Sequence, residues 1–120
     1  MFGGEGNDTL TAEASSHNEL WGGAGNDLLN GSAGRDDLAG GPGGGDDTLR
    51  GRGGVDNVSG GQGDDLVVGG RGRDFIRGGP GRDTLRARDD QPDSVDGGPD
   101  RDRARIDAAL DSVFRVEVLF

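Results

Sequence analysis

The sequence predicts an all-β repeat fold, a stack of short strands joined by glycine-rich turns, and three features point to it. Glycine supplies 27 of the 120 residues. Glycine and aspartate recur in a fixed phase about every nine residues, the mark of a solenoid built from one small unit. One apolar side chain recurs in each unit between variable, mostly polar neighbours, as a short strand with a single inward position requires. Composition alone would instead predict disorder. Leu, Ile, Val and Phe together number 24, about a fifth of the chain, which is the border below which apolar burial no longer offsets chain entropy.

The regular units are Gly3 to Thr11 (GGEGNDTLT), Gly22 to Asn30 (GGAGNDLLN), Gly60 to Val68 (GGQGDDLVV), Gly69 to Arg77 (GGRGRDFIR) and Gly78 to Arg86 (GGPGRDTLR). Each reads Gly-Gly-x-Gly-x-Asp-x-apolar-x. Gly31 to Ala39 and Gly51 to Ser59 keep the period with Ser32 and Arg52 in place of the second glycine, and Gly40 to Arg50 carries two extra residues in its turn. Ala12 to Trp21 and Ala87 to Asp96 are ten residues long and have lost the glycines, yet keep the closing Asp/Asn-x-apolar-x. Gly97 to Arg105 ends the series, giving eleven units across residues 3–105. Their apolar positions are Leu10, Leu20, Leu29, Leu38, Leu49, Val58, Val67, Ile76, Leu85, Val95 and Ala104, none of them polar.

Charge narrows the function classes. Acids outnumber bases 23 to 13, every base is arginine, and the net charge is -10, so cations are expected partners and nucleic acid is not. There is no cysteine to staple so thin a core. No apolar run approaches the roughly 18 residues of a membrane span, and no basic-then-apolar leader opens the chain. Met1 and Phe2 lead straight into a unit, so the chain is read as part of a longer protein. His17, the single histidine, stands beside Ser15, Ser16 and Asn18 without a second histidine or a triad-like pattern and is read as a surface residue. The sequence is therefore read as non-catalytic. Trp21 is assigned to an outer sheet face, and Arg71, Arg73, Arg77, Arg82 and Arg86 to offsetting carboxylates on the outer faces, with a polyanion site as the alternative reading.

The unit resembles the calcium-binding nonapeptide repeat of the repeats-in-toxin (RTX, hemolysin-type) family, found in secreted bacterial toxins, proteases, lipases and adhesins. The resemblance implies a right-handed parallel β-roll of about five coils, in which the glycine-rich half of each unit is a turn and the other half a short strand. Successive units then alternate between two facing sheets, about eighteen residues complete a coil, and the rod is about 25 Å long at the roughly 4.8 Å strand spacing.

Turns two units apart fall on the same side. One column presents Asp8, Asp27, Asp47, Asp65, Asp83 and Asp102, and the other Asn18, Asp36, Asp56, Asp74 and Asp93. Stacked aspartates repel unless a dication lies between them. Ca2+ needs roughly six to eight hard oxygens, so turn carbonyls must supplement the carboxylates, chiefly at Gly23, Gly25, Gly61, Gly63, Gly70, Gly72, Gly79 and Gly81, where a residue without Cβ can take positive φ. About five ions would balance the charge. The best-formed sites pair Asp65 with Asp83 and Asp56 with Asp74. Asp36 with Asp56 follows, then the pairs of Asp47 with Asp27 and Asp65, while Asn18 and Asp93 mark weak sites. Because neighbouring coils create the sites, ion binding and folding are expected to be one event, with affinity on the order of 10⁻⁴ to 10⁻³ M.

Residues 106–120 (IDAALDSVFRVEVLF) depart from the repeat. Phe114, Val116, Val118 and Phe120 alternate with Arg115, Glu117 and Leu119, a strand signature, read as a C-terminal cap over the open roll end, as a secretion signal, or as both. The functional expectation is a Ca2+-binding module that supports secretion and extracellular folding. The resemblance adds an attached N-terminal effector domain and type I secretion machinery as partners. The alternative is an adhesive or ligand-binding rod; an ice-binding version is disfavoured because Thr9, Thr11, Thr48 and Thr84 are too scattered for a regular surface.

Overall fold

A strand needs only one inward side chain per unit to belong to a stack, and the chain folds accordingly. A computed structural model describes residues 1–14, 16–87, 89–107, 111–116 and 118–119; the expectations for Ser15, Glu117 and Phe120 lie outside them. The described residues form strands and turns without a helix: β1 Phe2–Glu5, β2 Thr9–Thr11, β3 Asn18–Ala24, β4 Leu28–Asn30, β5 Asp36–Gly41, β6 Thr48–Gly53, β7 Asn57–Gly61, β8 Leu66–Arg71, β9 Phe75–Arg77, β10 Thr84–Arg86, β11 Ser94–Asp96, β12 Arg103–Arg105, β13 Ser112–Phe114 and β14 Val118–Leu119. Odd-numbered strands make one seven-stranded sheet and even-numbered strands the other. Successive strands therefore alternate between sheets, and the chain is a parallel β-solenoid of about six turns.

Register follows the apolar position. Leu20, Leu38, Val58, Ile76, Val95 and Val113 are stacked partners in one sheet. Leu10, Leu29, Leu49, Val67, Leu85 and Ala104 are stacked in the other. The eleven apolar positions predicted from the repeat are all buried, and little other apolar surface joins them among the described residues: Ala87 completes the core, with Ala12, Ile106, Val113 and Val116 packed partly against it. Slippage by one residue would turn this seam outward. The two extra residues after Pro42 leave the seam undisturbed, because Leu49 still pairs with Leu29 and Val67.

Two expectations change. Strands of three residues were expected, but β3, β5, β6, β7 and β8 run longer because the opening residues of the next turn continue the ladder, as in Gly41↔Gly61 and Arg52↔Gly70. The roll has about six turns, close to the five coils expected. Asp111-Ser112-Val113 repeats the Asp-x-apolar step without any glycine, so β13 pairs with β11 and β14 with β12. Six spacings across seven strands give about 29 Å. The alternating strand expected at 114–120 is interrupted at Arg115, whose φ is 51°. That turn lets Arg115 grip Asp96 in the preceding coil, Nε to Oδ1 at 2.9 Å and Nη2 to Oδ2 at 2.6 Å.

With one core side chain per unit, each is heavily weighted. Leu49→Ala in the calcium-loaded chain is expected to cost about 2–5 kcal/mol, read as a lowered urea midpoint at fixed calcium, whereas Arg50→Ala on the exposed face should stay within about 0.5 kcal/mol.

Candidate metal centre

Each turn delivers its aspartate to the solenoid edge just before the strand begins, pointing inward. Asp27, Asp47, Asp65, Asp83 and Asp102 in one column, and Asp36, Asp56, Asp74 and Asp93 in the other, are at most 3 % exposed. The structure thus brings together the predicted columns. In the first, the Oδ1 atoms of Asp27, Asp47, Asp65, Asp83 and Asp102 each accept the backbone N–H of the aspartate one coil earlier, at 2.8–2.9 Å. In the second, Asp36, Asp56, Asp74, Asp93 and Asp111 do the same at 2.7–3.1 Å, beginning from the N–H of Asn18.

The second oxygens have no such use. Oδ2 of Asp8, Asp27, Asp56, Asp65, Asp74, Asp83 and Asp93 is buried with no hydrogen-bond partner. Burying a carboxylate oxygen without a partner is costly, and the titration behaviour reflects it. Burial pushes the pKa of Asp47 and Asp74 up to about 6, of Asp56, Asp65 and Asp93 to about 7 and of Asp83 to about 8. The accepted N–H from the coil before pulls each back, and neighbouring carboxylates raise each further.

Glycine at the opening of the unit has a steric cause that the sequence did not reveal. A methyl group on Gly3 would lie 2.6 Å from Oδ2 of Asp8, and one on Gly69 2.7 Å from Oδ2 of Asp74. The orphaned oxygen occupies the space a Cβ would fill. The second and fourth positions need glycine for their backbone. Gly63 and Gly81 have φ of 117° and 113°, and a Cβ on Gly81 would strike the carbonyl oxygen of Gly63 one coil earlier. Gly23, Gly25, Gly61, Gly70, Gly72 and Gly79 also have positive φ and are stacked in the same way on the carbonyls of the preceding turn. Carboxylate and turn-carbonyl oxygens therefore recur from coil to coil, the hard-oxygen donor set that suits Ca2+.

Irregular units differ. Asp36 has its Oδ2 satisfied by the N–H and Oγ of Ser32 at 2.5 and 3.0 Å, and its Oδ1 takes the side-chain amide of Asn18 at 2.7 Å. Asp93 keeps the full ladder geometry despite its glycine-free turn and Pro92, because Asp111 below it supplies the next acceptor. Sequence reasoning overlooked Asp111. It also missed a second ladder on the first edge, where Asn7, Asn26, Asp46 and Asp64 each accept the N–H of the following coil at 2.8–2.9 Å. The available signal was the recurrence of Asn or Asp just before the column aspartate.

His17 and Trp21 lie at the surface. The His17 Nε2 is 3.3 Å from Oδ2 of Asp37, with Glu19 nearby, and Trp21 is tilted against Phe2 with ring centroids 6.3 Å apart. The arginine expectation needs correction: Arg71, Arg73, Arg82 and Arg86 form no ion pair among the described residues. Arg77 only reaches Asp96 through its field, adding to the hold of Arg115 that keeps that carboxyl low.

A family model described as the RTX calcium-binding nonapeptide repeat (4 copies) matches residues 1–16, 14–44, 43–67, 59–91 and 68–104. No curated protein and no solved structure matches the chain.

The raised carboxyl pKa values set a sign for pH. A carboxyl group whose folded pKa lies above its unfolded value stabilises the ion-free fold at low pH, and that contribution is lost as pH rises through about 6 to 8. Protonation therefore substitutes in part for the ion. Far-ultraviolet circular dichroism in excess chelator should show little β structure at pH 8 and more as pH falls toward 5, and a signal that does not change between pH 8 and 5 would contradict the buried-carboxyl assignment.

Proposed function

Since the chain belongs to the family of RTX calcium-binding nonapeptide repeats, we propose that it is a non-catalytic module that folds on binding Ca2+ outside the cell. The observation that carries this proposal is the row of buried, partnerless carboxylate oxygens on both edges. Bound Ca2+ supplies positive charge and a demand for oxygen ligands, which these carboxylates meet at the least reorganisation. The proposed carboxylate ligands are Asp8, Asp27, Asp47, Asp65, Asp83 and Asp102 on one edge, and Asp36, Asp56 and Asp74 on the other. Asp93 joins them on its geometry. Carbonyls at Gly23, Gly25, Gly61, Gly63, Gly70, Gly72, Gly79 and Gly81 complete the donor set. About five ions would neutralise the formal charge of -10. The gap between Asn18 and Asp36 takes none, because a side-chain amide donor fills the carboxylate position there.

Coupling to folding follows from topology. Every candidate site draws on two coils, so none exists in the unfolded chain, and binding free energy becomes folding free energy. Extracellular calcium suits sites of this weak class. We further propose that the module forms the C-terminal part of a larger secreted bacterial protein, carried by type I secretion machinery behind an N-terminal effector domain. In that setting residues 106–120 close the roll end, with the Arg115–Asp96 pair anchoring the last coil, and serve as the export signal.

Far-ultraviolet circular dichroism during a calcium titration tests the central claim: little β structure in excess chelator, and a cooperative gain with calcium. The Asp65→Asn/Asp83→Asn double variant should need about tenfold or more calcium, since each lost charged contact is of order 1.5 kcal/mol or more. Full β structure in chelator at pH 8 would defeat the proposal. Removing residues 106–120 should likewise raise the calcium midpoint, and an unchanged midpoint would leave them no capping role.

A further inference from the structure

One strongly charged feature is left unexplained by calcium. Beside the second turn column runs a groove of about 950 Å³, along the stacking direction, since Ala12, Ala33, Gly53, Arg71 and Asp89 on its wall come from five successive coils. Small residues make its floor and arginines its flank. Arg52, Arg71 and Arg86 have no ion pair among the described residues, in a chain whose net charge is -10. Asp89, the carboxylate on the same wall, is already engaged by the N–H groups of Gly72 and Gln91 at 2.8 and 2.9 Å. Arg52 and Arg71 belong to adjacent coils, offset by one residue in register as Arg52↔Gly70 and Gly53↔Arg71, and both line the groove.

Arg52 is also held against its backbone preference. It occupies the turn position that is glycine in the regular units and adopts their left-handed conformation, with φ of 78°. A side chain there is strained where glycine would not be, which marks the arginine rather than the turn as the useful part.

We propose that this groove binds a linear polysaccharide carrying carboxylates, of the uronate class, once calcium has folded the roll. Guanidinium forks match carboxylates in a bidentate manner. The shallow floor of Ala12, Ala33 and Gly53 accepts the C–H faces of sugar rings. Among the described residues the lining lacks an aromatic platform, which single-stranded nucleic acid would need for its bases. The proposal rests on the calcium-folding function, because Arg52 and Arg71 are carried by the turns that end in Asp56 and Asp74.

The test uses the full chain in calcium, a fluorescent hyaluronan octasaccharide as probe, and circular dichroism run in parallel. Binding is expected, reversed by chelator, and weakened about tenfold by each of Arg52→Gly, Arg71→Gln and Arg86→Gln. Arg52→Gly should leave calcium-induced folding intact or improved, which separates ligand loss from misfolding. No binding by the folded chain, or binding indifferent to all three substitutions, overturns the proposal. Equal binding of a neutral oligosaccharide of the same length, or of an octaglutamate peptide, overturns the assignment to acidic sugar. A chain that stays unfolded in calcium defeats the calcium function itself, and this proposal falls with it.

Discussion

Each coil passes one carboxylate to the coil before it, and the rest of the molecule is arranged around that contact. One oxygen of the aspartate takes a backbone N–H from the preceding turn, which fixes the spacing of the coils. The other is left buried and without a donor. A Cβ on the opening glycine of a regular unit would fill the space beside it. An edge of this kind is destabilising in the absence of a cation and cohesive in its presence. The core cannot decide the balance, since it consists of a single row of Leu, Val, Ile and Ala side chains on each sheet.

The nine-residue unit can be understood as four separate demands meeting in one short segment. Its first glycine gives room to the orphaned oxygen, and its second and fourth residues take positive φ under the carbonyls of the neighbouring coil. The aspartate links coils, and the apolar residue two positions later fills the seam. Units that break one demand compensate locally. Ser32 donates to Asp36 and satisfies its second oxygen, while Ala12 and Ala87 take over the opening position in glycine-free turns and join the core.

This division explains how much was legible in the sequence. The seam and the two columns were readable because each depends on one residue type at one spacing, so Leu49 and Asp65 could be placed from the period alone. Asp111 and Val113 were not, because glycine was the cue for the repeat and the tail carries the Asp-x-apolar step without it. The same cue did not indicate that Asp93 keeps its place in the ladder, which is set by hydrogen bonds above and below rather than by its own turn. The ladder through Asn7, Asn26, Asp46 and Asp64 was hidden because its residue is free to vary elsewhere in the repeat. Arg71 and Arg86 were expected to offset carboxylates on the outer faces, but a charge finds a partner only if the coil geometry places one within reach.

The two edges consequently differ in more than order. At the position just before the column residue, the first edge has Asn7, Asn26, Asp46 and Asp64 and then Arg82 and Arg101, whereas the second has His17, Arg35, Val55, Arg73 and Pro92. Among the described residues the second acceptor ladder therefore runs only along the first edge, through Asn7, Asn26, Asp46 and Asp64. Arg52 and Arg71, far apart in the unfolded chain, line one groove only when the coils close. Closing the coils creates at once two edges able to gather cations and, beside the second column, a groove flanked by Arg52, Arg71 and Arg86, which have no ion pair among the described residues. Whatever recognises that groove must therefore recognise the folded, ion-loaded form, which makes the metal a condition of recognition without requiring it to touch the ligand.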